Sequence, residues 1–106
     1  MAEKKKKEEG FTRFDNKVYD KLLSMKLSPA MLTAFLYVYR KTVGYRKEED
    51  KIAITLIAKE TGYSRTAMKN AIHALENMGM LELGMVVSGR PTYMKTLPPK
   101  CWRVDP

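Results

Sequence analysis

Apolar positions recur every three or four residues along most of the chain and every two residues near its end, so helices should come first and strands last. Val18, Tyr19, Leu22 and Leu23 predict a first helix. It begins near Asp15, whose carboxylate accepts from the free amides of the first turn, and ends near Met25 or Lys26. Ser28 and Pro29 start a second helix: the serine caps it, and a proline at the first helical position gives up only an amide that would have lacked a partner. Met31, Leu32, Phe35, Leu36 and Tyr39 line one apolar face, and Gly44 follows the last turn behind Arg40 and Lys41. Residues 46–51 form a charged loop. Ile52, Ala53 and Ile54 read as a very short strand, and Thr55 as the cap of a short helix that carries Leu56, Ile57 and Ala58 and closes at Gly62. Ser64 caps the next helix, which runs to about Met78 with Gly79 past its end and an apolar stripe of Met68, Ala71, Ile72 and Leu75.

Beyond Gly79 the pattern alternates. Met80–Leu83 and Thr92–Leu97 predict a β-hairpin whose tip, Gly84 to Arg90, is rich in glycine, and Pro98-Pro99 ends it. The expected organisation is a disordered charged tail at 1–10, a folded domain at 11–97 and a C-terminal tail at 98–106 from which Trp102 docks back on the domain. A short helix that reaches Gly62, turns, and restarts at Ser64 is a helix-turn-helix arrangement. The hairpin directly after it predicts a winged helix-turn-helix, mainly α with a small β-hairpin (α+β).

Composition narrows the function. A chain of 106 residues and 12.2 kDa holds one domain, and no apolar run approaches the roughly 20 residues a membrane-spanning helix needs. One cysteine and one histidine exclude an intrachain disulfide and argue against a zinc cluster or a histidine-dependent triad. The chain has no glycine-rich phosphate loop, no nucleophile beside a base and no recognisable carboxylate pair, so no catalytic residue, metal or cofactor is expected. The reading is a non-enzymatic, cytoplasmic protein without a membrane partner. Twenty basic residues against twelve acidic ones leave a net charge of +8, which favours a polyanionic partner, nucleic acid before a membrane surface.

The second helix of the motif is the candidate site. With its stripe facing the core, the other face carries Arg65, Thr66, Lys69, Asn70 and His73: two cations, several hydrogen-bond donors and no carboxylate. Its N-terminal end would enter the major groove of double-stranded DNA, where Arg65 suits guanine and Asn70 suits adenine. Lys69 and Thr66 would reach phosphates or base edges, and Ser64 with the first-turn amides would grip a phosphate. On the hairpin, Arg90 at the tip and Lys95 further along would lie on the flanking backbone. The plain alternative for the same residues is a solvated helix face and a polar loop, as in winged helices that bind protein.

Several segments carry a resemblance to a known family. Phe11–Asn16, Leu27-Ser28, the Arg-Lys-Thr-x-Gly-aromatic run Arg40–Tyr45, the charged run Lys47–Ile52, Ile57-Ala58, Thr61–Arg65 and the helix through Met78–Leu81 resemble the N-terminal domain of phage replication protein O over residues 11 to 83, about two thirds of the chain. The resemblance implies a domain that recognises origin repeats, often as a homodimer, and helps recruit a replicative helicase in the host cytoplasm. The recognition helix is poorer in arginine than the family's usual one. Members usually continue into a C-terminal region that contacts the helicase, so the chain reads either as a binding domain taken from a longer protein or as a short protein acting alone. Two other readings of the residues stay open: a transcriptional repressor with the same fold, and an interaction module that captures a host replication or transcription protein.

Overall fold

The computed structural model describes residues 11–47, 49–85 and 90–103. The tail at 1–10, with its Lys4–Lys7 run, and Ser88 and Gly89 of the hairpin tip lie outside the described residues.

Among the described residues four α-helices and three short strands follow one another as α1 (Asn16–Ser24), α2 (Pro29–Thr42), a 3-10 turn (Val43–Tyr45), β1 (Asp50–Ile52), α3 (Ile54–Thr61), α4 (Arg65–Asn77), β2 (Leu81–Leu83), β3 (Thr92–Thr96) and a second 3-10 turn (Pro99–Cys101). The expected α+β winged helix-turn-helix is the fold observed.

Local chemistry sets most helix ends. Asp15 Oδ1 accepts from the Lys17 amide at 2.8 Å, Ser28 Oγ from Met31 at 3.2 Å and Ser64 Oγ from Ala67 at 3.0 Å, so three helices begin on side-chain caps. α3 is different. It begins after Ala53 with no side-chain cap, and Thr55 lies inside it. Ile54 therefore belongs to α3, and the strand expected at 52–54 sits earlier, at Asp50–Ile52. Long-range pairing decides this: Asp50 lies opposite Met94 and Ile52 opposite Thr92, which draws the charged end of the loop into the sheet.

β3 is the central strand, with antiparallel β1 on one side and β2 on the other, Leu81 facing Thr96 and Leu83 facing Met94. Thr92 and Met94 point into the core, and Tyr93 points to solvent.

α2 runs through the middle of the molecule and buries Ala34, Phe35, Val38, Tyr39 and Thr42. Leu32 and Leu36, expected on the buried face, are exposed, as are Tyr19 and Leu23 of α1. α2 is apolar on nearly every side, so packing against α4 and β3 chooses the face, and it chooses the Phe35–Val38–Tyr39–Thr42 side. Thr42 meets the cost of burying a hydroxyl by donating to the Val38 carbonyl at 2.8 Å. The α4 stripe of Met68, Ala71, Ile72 and Leu75 is buried as expected. Each fully buried Ile, Leu or Met contributes about 1.5–3 kcal/mol.

Two segments outside the helices are fastened to this core. Phe14 stacks on Tyr39 with centroids 4.3 Å apart, and the Asp15 amide donates to the Tyr39 hydroxyl at 3.2 Å. At the other end Trp102 docks on the domain, and Arg103 donates from its amide to Met78 and from Nη1 to the Asn77 carbonyl at 2.8 Å.

Candidate nucleic-acid interface

Gly62 ends α3 in the left-handed region, at φ 85°, which turns the chain within three residues onto the Ser64 cap of α4. The first turn of α4 contains no acidic side chain. Its free amides thus meet solvent with their partial positive charge undiminished.

Ser64, Arg65, Thr66, Lys69 and Asn70 are all exposed on one side of α4, and His73 is half-buried on the same side one turn further on. Among the described residues neither Arg65 nor Lys69 has an ion-pair partner. The Ser64 hydroxyl is committed as an acceptor to the helix amide, which leaves its proton free to donate. His73 Nδ1 lies 3.7 Å from Glu76 Oε1, so the basic character of the face ends at this turn.

The hairpin residues stand apart from this face. Arg90 is exposed two residues before β3. Lys95 sits on the solvent side of β3 with Nζ 3.6 Å from Glu82 Oε1 of β2, its register partner. The expectation for Lys95 did not include this neighbour, whose charge offsets its own.

A second group of charged and aromatic side chains stands at the C-terminal end of α2, in and beside the Arg40–Tyr45 run, which the sequence reading did not count among the DNA-binding residues. The Lys41 ammonium lies 5.4 Å from the Tyr37 ring centroid and 5.9 Å from that of Tyr45, and the Arg40 guanidinium lies 5.8 Å from Tyr45. The Tyr37 hydroxyl donates to Glu60 Oε1 in the last turn of α3. Burial first, and then the hydrogen bond and charge of Glu60, hold the Tyr37 phenol well above its ordinary pKa. The signal was the spacing of Tyr37, Lys41 and Tyr45, which the helix and its 3-10 extension bring together.

α1 and α2 also leave an apolar groove of about 400 Å³ between them, lined by Phe14, Tyr19, Leu22, Leu23, Leu32 and Leu36. Among the described residues no group of three His, Cys, Asp or Glu side chains is placed to hold a metal, and no helix is long and apolar enough to cross a membrane.

A protein-family profile described as bacteriophage replication protein O matches residues 3–90. The chain belongs to this family. The replication protein O match takes in all four helices, β1 and β2, and ends at Arg90, so it covers the whole helix-turn-helix unit. Membership gives the protein a role in phage replication. No curated protein sequence matches the chain.

Proposed function

We propose that this domain binds double-stranded DNA through α4 and marks a phage replication origin, as a binding module rather than an enzyme. The observation that carries the reading is the exposed face of α4: Arg65, Thr66, Lys69 and Asn70 sit behind a capped N-terminus whose first turn has no acid. Laid in a major groove, that end brings Arg65 to a guanine edge and Asn70 to an adenine edge, while Ser64, Thr66 and Lys69 meet phosphates. His73 reaches the backbone further along the helix. Arg90 on the wing lies along the flanking strand, and Lys95 supplies a weaker phosphate contact beside Glu82.

The experiment is selection of a preferred duplex from a random pool, followed by titration of Arg65→Ala. The variant loses about 1–3 kcal/mol on the selected site and relaxes one base position. An unchanged affinity and an unchanged preference overturn the docking of α4.

The groove between α1 and α2 favours one protein contact beside the DNA, a second copy of the chain. Leu23 and Tyr19 project from the rim of the same groove that would receive their counterparts, as a two-fold contact requires. Leu23→Glu should leave a monomer in sedimentation equilibrium where the parent chain dimerises. The dimer and any replicative helicase partner would act with the origin-bound domain in the host cytoplasm.

A further inference from the structure

We infer that the Tyr37–Arg40–Lys41–Tyr45 cluster at the end of α2 is a second contact to the duplex backbone, extending the footprint of α4. The inference rests on the duplex-binding reading of α4.

The segment from Arg40 to Tyr45 divides into residues with a packing role and residues without one. Thr42 is fully buried and hydrogen-bonded within its helix, and a Cβ on Gly44 would lie 2.8 Å from the Thr12 hydroxyl, which shows how closely the chain before α1 is laid against it. Arg40 and Tyr45 face solvent, and Lys41 is half-buried against rings. No hydrogen bond or ion pair to a described residue occupies the charged ends of Arg40 and Lys41.

These cations are held differently from Lys47 and Lys95, and in the manner of Lys51, which lies 5.5 Å from the Tyr93 ring centroid. Lys47 lies 3.5 Å from Asp50 and Lys95 lies 3.6 Å from Glu82, so a carboxylate offsets each charge. Arg40 and Lys41 lie over tyrosine rings, which orient a cation without cancelling its charge. A side chain already ordered on a ring loses less entropy when it meets a phosphate.

Placement selects the partner. Tyr37, whose ring lies beside Lys41, is bonded to Glu60, and α3 ends at the next residue, with the Ser64 cap following directly. Through Tyr37 the cluster is therefore fastened to the last turn of α3, beside the turn of the helix-turn-helix. A second basic surface beside this turn, in a chain whose α4 is read as holding a duplex, suits flanking phosphates better than an acidic peptide.

The test is a salt titration of duplex and single-stranded DNA binding by the parent chain and by Arg40→Gln/Lys41→Gln. The double variant should bind duplex more weakly, with a log–log salt slope shallower by up to ~1.8 for two lost phosphate contacts. Arg40→Glu is the second variant, and it should weaken duplex binding further than Arg40→Gln does. A parent chain that binds duplex with a slope the double variant leaves intact overturns this inference alone. A loss confined to single-stranded DNA also overturns it. A parent chain that binds no duplex at low salt removes the α4 reading and this inference together.

Discussion

The indole of Trp102 meets the ring of Phe35 edge-on, with centroids 5.4 Å apart and planes at 81°, while its Nε1 donates to the Leu97 carbonyl at 2.8 Å. The contact closes the core from the C-terminal side, against the most buried part of α2. Trp102→Ala should destabilise the protein by about 3–5 kcal/mol through cavity formation, and Trp102→Phe should cost less by keeping part of the ring contact. Urea unfolding measures both, and a loss under 1 kcal/mol for Trp102→Ala would mean the segment after β3 is not part of the cooperative unit.

Two glycines with positive φ separate backbone strain from collision. Gly62 has φ 85° and open space where a Cβ would stand, whereas Gly79 has φ 75° and a Cβ there would lie 2.3 Å from the Cys101 carbonyl oxygen. Gly62→Ala should cost about 1–2 kcal/mol, the strain of an L-residue in the left-handed region. Gly79→Ala should cost more, because the segment holding Trp102 must also move. Thermal unfolding of the two variants checks the order, and equal losses would contradict the close approach at Gly79.

Helix ends were largely legible in the sequence because their rules are local. Asp15, Ser28, Ser64, Gly62 and Gly79 all act where their residue types suggest, and the α4 stripe follows from spacing alone. The features that escaped depend on distant partners. β1 takes Asp50 because Met94 lies opposite, and Ile54 goes to α3 because the strand has already ended. Leu32 and Leu36 are as apolar as Phe35, and only the packing of α4 and β3 shows which side of α2 turns inward. In the interface, the α4 residues could be named from one helical face. The offset of Lys95 by Glu82 needed the hairpin register, and the grouping of Lys41 with Tyr37 and Tyr45 needed the 3-10 extension after Thr42.

The pairing of Lys95 with Glu82 sets an order among lysine variants. Lys69→Ala should make the salt slope of duplex binding shallower by about 0.9, and Lys95→Ala should change it less. Neither should alter stability by more than about 1 kcal/mol, since the Lys95–Glu82 pair is exposed to solvent. Salt titrations of the two variants measure the order, and a larger change for Lys95→Ala would shift the main phosphate contact from α4 to the hairpin.

Tyr37 gives a pH signature. Its phenol is held above the ordinary value of 10.0, so the folded state favours the protonated form. The stabilisation is complete below pH 10 and is lost as pH rises above it toward the folded value. Tyr37→Phe should be less stable than the parent at pH 8 by about 0.5–1.5 kcal/mol, the worth of the bond to Glu60, and the gap should narrow at pH 11. Urea midpoints at the two pH values decide it, and a gap that does not narrow would contradict the assignment.

The central claim is that α4 meets the phosphates and bases of a duplex. Fluorescence anisotropy of a labelled random-sequence duplex, titrated with the protein at two salt concentrations, tests it most directly. The account predicts binding at low salt that weakens steeply as salt rises, by counterion release from the contacted phosphates. No binding at low salt would contradict it.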